Sequence, residues 1–431
     1  MADLRVKFCG IESPNPFWLA SGPPTNTGDQ VMRAFDAGWG GAVWKTIGEP
    51  IQNTSSRYGA IDYNGAKMMG FNNIELISDR PIEVNLREIA EVKKRYPKQL
   101  VIASLMVESK RDVWHDIVRR AEDAGSDALE LNFGCPHGMS ERGMGAAVGQ
   151  VPEYTEMITA WVKEKASTPV ISKLTPNVTD ITHIALAAER GGADAVSLIN
   201  TINSLMGVDL ETFAPRPNVG GKSSHGGYCG PAVKPIALHL VSSVAKKIKI
   251  PIVGIGGIGA WSDAAEHISL GASCVQVCTA AMHYGFRIVE DMADGLAAYM
   301  DDHGYRTIED FRGRAAPNVM DWGDLDLNYK IVARIRTELC IGCQLCYVAC
   351  EDGAHQCIAR APEKNDKRNS EGMEVHVPRI IEEECVGCNL CALVCPVDGC
   401  ITMEQVETGR APMSWKQKSG GAAGACAPEH S

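Results

Sequence analysis

Two copies of one cysteine pattern lie near the C-terminus of the chain. The spacing is Cys-x2-Cys-x2-Cys-x3-Cys, formed by Cys340, Cys343, Cys346 and Cys350 in the first copy and by Cys385, Cys388, Cys391 and Cys395 in the second. This doubled spacing is typical of chains that bind two 4Fe-4S clusters. Zinc sites and disulfides are the alternatives. A zinc ion needs only four ligands, arranged as two pairs, whereas this chain repeats a group of four cysteines. A disulfide framework would not repeat a four-cysteine spacing. The pattern therefore predicts that the chain transfers electrons one at a time.

The fourth cysteine of each copy is predicted to bind the cluster of the other copy. Three thiolates in one tight loop can occupy three corners of a cubane, whereas the fourth cysteine is separated from them by three residues and points away from it. One cluster is therefore assigned to Cys340, Cys343, Cys346 and Cys395. The second cluster is assigned to Cys385, Cys388, Cys391 and Cys350.

The composition bounds the class of protein. The chain has 431 residues, 16 cysteines and a formal net charge of -11. The length predicts two or three domains, and the charge disfavours nucleic acid as a partner because a polyanion requires clustered Lys and Arg. Thiols without a disulfide framework, together with clusters, favour a reducing cytoplasm. The N-terminus does not resemble a signal sequence and no run of about 18 apolar residues occurs, so we expect no membrane segment.

Residues 17–300 alternate short apolar, β-branched runs with amphipathic stretches of helical period. Repeated βα units produce this alternation. The predicted strands are 17–21, 41–46, 100–106, 128–133, 170–174, 195–200, 251–256 and 274–278. The predicted helices include 82–96, 112–124, 152–165, 180–189, 234–247, 262–269 and 287–300. Eight such units predict an α/β fold, the TIM (β/α)8 barrel, whose active site forms from loops at the C-terminal ends of the strands.

The barrel is expected to occupy residues 1–305, with a short segment before its first strand. Residues 306–335 contain Asp-rich stretches and are predicted to link the barrel to a two-cluster, ferredoxin-like domain at 336–405. Residues 406–431 end in a Gly- and Ala-rich stretch and are predicted to be disordered.

A glycine-rich segment follows the seventh predicted strand. Gly254, Gly256 and Gly259 match the GxGxxG spacing of a Rossmann dinucleotide site. The eight-fold alternation favours another interpretation, because barrel enzymes bind phosphate with the loops after strands seven and eight. The backbone N–H groups of Gly256 and Gly257, with the hydroxyl of Thr279, are therefore predicted to bind the phosphate of a flavin or a substrate.

Two lysines lie at predicted strand ends. Clusters move single electrons, so hydride transfer to an organic substrate requires a cofactor, such as a flavin, that converts one-electron into two-electron transfer. Lys45 lies at the end of strand two and Lys173 at the end of strand five, where either cation could stabilise the anionic edge of a reduced flavin. A solvated surface charge is the alternative for each lysine.

The loop after strand four is rich in glycine and contains Cys135. Such loops form mobile lids over barrel active sites. A neutral thiol, with an unperturbed pKa of about 8.5, can protonate a carbanion-like centre. A small buried hydrophobic residue is the alternative, but Asn132 and His137 nearby offer hydrogen-bonding groups that favour a proton donor.

Amides and a carboxylate follow strands two and six. Asn73 and Glu75 lie in the segment after strand two, and Asn200 and Thr201 follow strand six. Amide and carboxylate groups suit a flat ring with alternating N–H and C=O groups. These residues are therefore candidates for substrate binding.

The motifs together resemble the flavin- and cluster-containing part of dihydropyrimidine dehydrogenases. They are most similar to the catalytic subunit of the bacterial, NAD-dependent, two-subunit form, over about residues 4–405. The resemblance rests on AGWGGAVWKT, FNNIELIS, ALELNFGCPHGMSERGMG, SKLTPNVTDI, INTINSLMG, GIGGI and the doubled cysteine motif. It implies that FMN delivers a hydride to C6 of uracil or thymine while Cys135 protonates C5, which gives the 5,6-dihydropyrimidine.

The same resemblance implies the binding residues. The pyrimidine would be bound by Asn73, Glu75, Ile77, Asn132, Asn200 and Thr201. The FMN would be bound by Ala20, Ser21, Lys45, Thr46, Lys173, Gly230, Gly256, Gly257, Cys278 and Thr279. Gly134 stands where the animal enzymes have serine, so a hydroxyl contact to the substrate is expected to be absent.

The resemblance also implies a partner. The chain lacks the FAD and NADPH domains of the large animal enzyme, so an FAD- and iron-sulfur-containing subunit is expected to oxidise NAD(P)H within a hetero-oligomer such as a heterotetramer. Two other functions stay open. One is a dihydroorotate dehydrogenase-like FMN enzyme, whose substrate has a carboxylate, and the other is a ferredoxin-type electron carrier with a non-catalytic barrel.

Overall fold

The computed structural model describes residues 2–135, 143–353, 355–362 and 376–419. The chain divides into two compact units, Met1–Val319 and Met320–Ser431. Each unit has an apolar core of its own.

The first unit is a closed barrel of eight parallel strands with helices between them, as the sequence predicted. The strands, numbered one to eight in chain order, are Phe17–Leu19, Gly41–Val43, Leu100–Leu105, Ala128–Asn132, Val170–Lys173, Ala195–Leu198, Ile252–Ile255 and Cys274–Val277. Strand eight pairs with strand one and closes the barrel. Nearly every strand residue is buried, which is why the strands are near-continuous apolar runs without alternation. Each observed strand lies within its predicted range.

Amphipathic helices surround the barrel. They are Gly28–Ala37, Ile82–Arg95, Arg111–Asp123, Ala146–Gly149, Pro152–Lys163, Ile181–Arg190, Lys234–Ala245, Trp261–Ser269, Thr279–Tyr284 and Ile288–Asp302. Short 3-10 helices are Pro23–Thr25, Pro231–Val233, Ile308–Asp310, Ala316–Asn318 and Trp322–Asp324. The helix after strand one was not among those predicted, although Thr27 caps its first turn and Gly38 ends it in a left-handed conformation. Strands Val6–Phe8 and Ile11–Ser13 form an antiparallel hairpin before the barrel.

A four-stranded antiparallel sheet, which the sequence did not predict, is built from the loops after strands two and six. Its strands are Tyr58–Tyr63, Ala66–Asn73, Ile202–Ser204 and Gly226–Cys229. The pairing of Asn73 with Gly227 joins the two loops. These loops leave the C-terminal ends of their barrel strands, so the sheet lies where a barrel forms its active site.

The second unit contains two similar halves that exchange strands. Ile331–Ile335 begins the first half and pairs with Ile401–Gln405, which ends the second half. Ile358–Pro362 ends the first half and pairs with His376–Ile380, which begins the second. Helices Leu345–Gly353 and Leu390–Leu393 follow the cysteine loops of the two halves.

Two boundary predictions were wrong. The linker predicted at 306–335 includes Ile331–Ile335, a strand in which Val332 and Ala333 are buried. The predicted disordered tail begins with ordered chain, because Ser414 forms a bridge with Asp326 and caps a short helix, Trp415–Lys418. Residues 420–431 of the predicted tail lie outside the described residues. Within the described residues, no helix is long and apolar enough to span a bilayer.

Candidate active site

One cavity of about 330 Å³ opens at the C-terminal ends of the barrel strands. Every residue predicted from the sequence for catalysis, substrate binding or flavin binding lines it. In chain order these are Ala20, Ser21, Lys45, Thr46, Asn73, Glu75, Ile77, Asn132, Cys135, Lys173, Asn200, Thr201, Gly230, Gly256, Gly257, Cys278 and Thr279. They come from the ends of seven barrel strands and from the antiparallel sheet, so the fold brings distant residues together.

A chain of hydrogen bonds fixes the polar wall of the cavity. The hydroxyls of Ser21 and Thr46 are 3.2 Å apart, and the amide of Asn132 donates to the Thr46 hydroxyl at 2.9 Å. The amide of Asn200 donates to the Asn132 carbonyl oxygen at 3.0 Å, and the Thr201 backbone N–H donates to the Asn200 carbonyl oxygen at 2.8 Å. Because each side chain is held by the next, the amides have fixed orientations before a ligand binds.

Lys45 and Glu75 form a buried ion pair. The Lys45 ammonium donates to the Glu75 carboxylate, and the two side chains are 5% and 7% exposed. The Tyr58 hydroxyl donates to the other oxygen of Glu75, and an Arg57 nitrogen lies 3.4 Å from the carboxylate. Sequence reasoning gave Lys45 and Glu75 to different ligands and missed that they contact each other. Tyr58 lies on an unpredicted strand, so its position could not be foreseen.

Lys173 also faces a carboxylate, which the sequence analysis missed. Its ammonium lies 3.3 Å from Oε1 of Glu130, a side chain that is completely buried in the barrel interior. The second oxygen of Glu130 accepts hydrogen bonds from Ser197 at 2.9 Å and from Gln276 at 2.8 Å. The available signal was a lone glutamate inside an otherwise apolar strand, since a buried charge requires a partner.

Cys135 lies at the edge of the cavity in an apolar setting. It is 8% exposed and packs with Ile77, Met106 and Met144. Its backbone carbonyl accepts a hydrogen bond from the Ala146 N–H at 3.1 Å, which fixes the start of the loop against the following helix. Residues 136–142, including His137, lie outside the described residues. A thiol that is both buried and cavity-lining can reach a ligand while it stays shielded from solvent.

Gly134 leaves room for a neighbouring amide. A Cβ atom at this position would lie 2.3 Å from Nδ2 and 2.4 Å from Cβ of Asn200. Real Cβ atoms do not approach other atoms this closely. A serine at position 134 would therefore require Asn200 to move. The observed position of Asn200 depends on a glycine at position 134.

The glycine segment after strand seven presents backbone to the cavity. Gly256 and Gly257 have φ values of +125° and +73°, which favour glycine. A Cβ on Gly257 would lie 2.5 Å from the Cβ of Lys234. The strand before it belongs to a closed barrel, which excludes the Rossmann interpretation because that site requires an open sheet. The Nε2–H of His267 donates to the Gly256 carbonyl at 3.3 Å. This side chain is fully buried, and burial lowers its pKa to about 4.

Two thiols lie beside this segment. Burial raises the pKa of Cys278 to about 12 and that of Cys229 to about 11. The Thr279 hydroxyl donates to the sulfur of Cys229 at 3.2 Å. Both thiols are therefore neutral near pH 7.

The cavity fits a flavin mononucleotide. At one end of the cavity, the backbone of the glycine segment and a threonine hydroxyl suit a phosphate. The two lysine ammonium groups suit the anionic edge of a reduced flavin ring. The Gln276 side-chain oxygen is buried in the cavity wall and has no hydrogen-bond partner within the described residues. A ring N–H could satisfy this acceptor.

The cysteines of the second unit surround two separate cavities. One is lined by Cys340, Cys343, Cys346 and Cys395, and the other by Cys350, Cys385, Cys388 and Cys391. These are the two sets predicted from the motif. The exchange of strands between the halves explains the crossing, because the strand after each fourth cysteine pairs with the strand before the other half's loop.

The donor sets fit cubane clusters. No three His, Cys, Asp or Glu side chains in the described ranges converge on a position for one metal ion. A cubane binds each thiolate at a different iron, so its ligands surround a volume instead of a point. Gly342 and Gly387 hold the two cysteine loops in matching left-handed conformations, with φ values of +72° and +71°.

Comparison with known proteins adds independent findings. The profile of the dihydroorotate dehydrogenase family matches residues 3–300, and that of the 4Fe-4S dicluster domain matches residues 333–403. The chain is 43% identical over 409 residues to the NAD-dependent dihydropyrimidine dehydrogenase subunit PreA of Escherichia coli, covering 94% of this chain and 96% of that protein.

Two further relatives each match about three quarters of the chain. The chloroplastic dihydropyrimidine dehydrogenase (NADP(+)) of Arabidopsis thaliana is 43% identical over 327 residues, which cover 73% of this chain and 77% of that protein. The catalytic subunit of dihydroorotate dehydrogenase B (NAD(+)) from Pyrococcus horikoshii is 38% identical over 319 residues, which cover 72% and 97% of the two chains.

Proposed function

The chain belongs to the dihydropyrimidine dehydrogenase family, and we propose that it reduces the 5,6 double bond of uracil or thymine with electrons that a separate NAD(P)H-oxidising subunit supplies. The observation that carries the proposal is the shared cavity. A thiol, a wall of oriented amides, two lysines and a glycine-rich phosphate loop all line it.

The polar wall is proposed to bind and orient the pyrimidine. Asn73, Asn132, Asn200 and Thr201 offer donors and acceptors that complement ring N–H and C=O groups, and Glu75 offers a further acceptor. The hydrogen bonds from Asn132 through Asn200 to Thr201 fix two of these amides. A ring held in this way presents one face to the flavin and the other to the thiol. Ile77 packs against Cys135 and is proposed to limit the substrate's in-plane position.

Cys135 is proposed to be the general acid. When bound, FMN supplies a hydride to C6 of the pyrimidine, and the clusters supply the single electrons that replace it. The Cys135 thiol gives its proton to C5, which completes the new C–H bond, and the thiolate takes up a proton from solvent. Two electrons and two protons are thus consumed per double bond. The apolar contacts of Cys135 favour the neutral thiol that this step requires.

The remaining cavity residues are proposed to hold the flavin. Lys45 and Lys173 would stabilise the charge of its reduced form, each balanced by the carboxylate that it contacts. The backbone of Gly256 and Gly257 and the Thr279 hydroxyl would bind the phosphate. The other flavin contacts are proposed for Ala20, Ser21, Thr46, Gly230 and Cys278, which line the same cavity.

Two observations support a partner subunit: a relative that is itself named as a subunit, and the 4Fe-4S dicluster domain of this chain. The Escherichia coli relative is named as a subunit, and a 4Fe-4S dicluster domain is suited to receive electrons from another protein. We assign the cluster ligands to the two cysteine sets that line the separate cavities. The proposed partner contains FAD and iron-sulfur clusters and forms a hetero-oligomer such as a heterotetramer, in the reducing cytoplasm that clusters favour.

Dihydroorotate dehydrogenase activity is the second candidate, because the barrel profile and the Pyrococcus relative have that name. Turnover by the purified chain with a reduced viologen as electron donor distinguishes the two. We expect reduction of uracil or thymine and no conversion of orotate, because a substrate carboxylate would compete with Glu75 for the Lys45 ammonium. Preferential turnover of orotate would refute the proposal, and a chain that contains FMN but turns over neither substrate would favour an electron carrier.

The role of Cys135 is tested in the same assay. The Cys135→Ala variant is expected to keep its FMN and iron content. Its turnover rate should fall by a factor of about 10² to 10⁴, the usual contribution of a general acid. Cys229→Ala is the matched control, because that thiol lines the same cavity without a proposed proton transfer. Full activity of Cys135→Ala would show that Cys135 is only a packing residue.

A further inference from the structure

Two cysteines outside the doubled motif occupy equivalent positions in the two halves of the second unit. Cys357 directly precedes strand Ile358–Pro362, and Cys400 directly precedes strand Ile401–Gln405. The carbonyl of Cys357 accepts a hydrogen bond from the backbone of Ile381 at 2.8 Å, and that of Cys400 accepts one from Arg336 at 2.8 Å. In each case the donor residue lies four positions before the first cysteine of a motif.

Each of these cysteines is a fifth thiol in a cluster cavity. Cys357 is 3% exposed and lines the cavity that contains Cys350, whereas Cys400 is 2% exposed and lines the cavity that contains Cys395. The Cys357 N–H donates to the sulfur of Cys350 at 3.3 Å. Cys400 lies within hydrogen-bonding reach of two ligand thiols, those of Cys395 and Cys340. In both halves, one neighbour of the fifth thiol is therefore the ligand that crosses from one motif to the other motif's cluster, Cys350 or Cys395.

We propose that Cys357 and Cys400 are reserve cluster ligands, each able to replace the adjacent crossing cysteine, Cys350 or Cys395. The proposal rests on the cluster sites proposed above. The replacement is a ligand exchange without electron transfer: the reserve thiol loses its proton to solvent and its sulfur binds the iron that the original thiolate has left. No backbone element has to be exchanged, because the reserve sulfur already lies in the same cavity.

In the intact site the reserve thiols have other partners. The sulfur of Cys357 donates to the carbonyl of Glu384 at 2.9 Å, and that of Cys400 contacts the carbonyl of Arg336 at 3.7 Å. Such carbonyl contacts suit a protonated thiol, which does not compete with the four resident thiolates. A buried alanine at position 357 or 400 would fill a similar space but could not bind iron. Substitution by alanine therefore separates a role in packing from a role as a reserve ligand.

The test uses the full chain, purified without oxygen, and measures iron content and the EPR spectrum after dithionite reduction. Cys395→Ala is expected to keep the wild-type iron content, with a change only in the cluster signal that Cys343→Ala also changes. Cys395→Ala/Cys400→Ala is expected to fall to about half of the iron, because one of two equal clusters is lost. Cys350→Ala and Cys350→Ala/Cys357→Ala provide the same comparison for the other cluster.

A Cys395→Ala variant that already contains half of the iron, with no further loss in the double variant, would overturn the proposal. A change in the signal that Cys388→Ala affects would instead overturn the ligand assignment. Bound FMN reports that the barrel is folded in every variant. If the single variants do not fold, Cys357→Ala/Cys400→Ala is compared with wild type during exposure to air: faster iron loss supports the proposal and equal loss overturns it. Wild-type protein without iron-sulfur signals would refute the cluster sites themselves.

Discussion

The ammonium of Lys173 and the carboxylate of Glu130 lie 3.3 Å apart beneath the cavity of the barrel, and Glu130 is completely buried. Strands four and five are neighbours, and the pairing of Asn132 with Lys173 fixes their register. The lysine can therefore present a positive charge to the cavity while a fixed negative charge stands behind it. At the proposed flavin site, this arrangement would limit the net charge next to the cofactor.

Removing the charge of Glu130 is predicted to make the reduction potential of bound FMN more positive. In Glu130→Gln the charge of Lys173 is no longer balanced, so it stabilises the anionic reduced flavin more strongly. A spectroelectrochemical titration of bound FMN measures the shift.

Ser197→Ala is the matched control for this prediction. It removes one hydrogen bond to Glu130 but leaves the carboxylate charge in place, so the potential should stay close to that of the wild type. A Glu130→Gln chain that binds FMN at the wild-type potential would contradict the role given to the pair.

A side chain at position 134 is predicted to weaken pyrimidine binding. The Cβ atom of Gly134→Ser or Gly134→Ala would displace Asn200, and loss of one substrate hydrogen bond costs about 1 to 1.5 kcal/mol. The KM for uracil should therefore rise about 5- to 13-fold. Steady-state kinetics with Asn200→Ala and with the double variant complete the cycle. Independent, additive effects would show that Gly134 does not act through Asn200.

The barrel is predicted to lose stability as the pH falls below about 6.5, the ordinary pKa of histidine. Burial lowers the pKa of His267 to about 4, so the unfolded chain binds this proton first. The stabilisation is complete above pH 6.5 and is lost progressively down to pH 4, with about 2 kcal/mol already lost at pH 5. Urea unfolding at pH 8 and pH 5 measures the loss.

His267→Gln should reduce this pH dependence by the same amount, since its side chain does not titrate. The side chain of His183 is 72% exposed, so His183→Gln is the control for removing a histidine that is not buried. Equal slopes for all three chains would show that His267 does not control the acid sensitivity.

The barrel and the residues that line its cavity could be predicted, because both follow from local sequence patterns. Each strand is an apolar run buried on both faces, and a group at a strand's C-terminal end necessarily faces the barrel's mouth. Lys45, Lys173 and Gly256 follow from this rule. The grouping of the motif cysteines around two cavities was predictable for a similar reason, because the cysteine spacing itself limits which sulfurs can lie together.

The antiparallel sheet and the ion pairs could not be predicted in this way. Asn73 pairs with Gly227, far away in the chain, and strand Tyr58–Tyr63 is mostly exposed, so it has no apolar pattern. Glu130 and Lys173 belong to different strands whose register depends on barrel closure. The strand Ile331–Ile335 was assigned to a linker because its partner, Ile401–Gln405, comes after both motifs.

The barrel is proposed to reduce a pyrimidine with electrons that enter this chain from a separate NAD(P)H-oxidising subunit. Anaerobic, uracil-dependent oxidation of NADH tests it most directly, with the chain alone and with the FAD-containing subunit added. We predict no NADH oxidation by the chain alone, although a reduced viologen supports uracil reduction, and rapid NADH oxidation once the subunit is present. Robust uracil-dependent NADH oxidation by the chain alone, with FMN as its only flavin, would contradict the account.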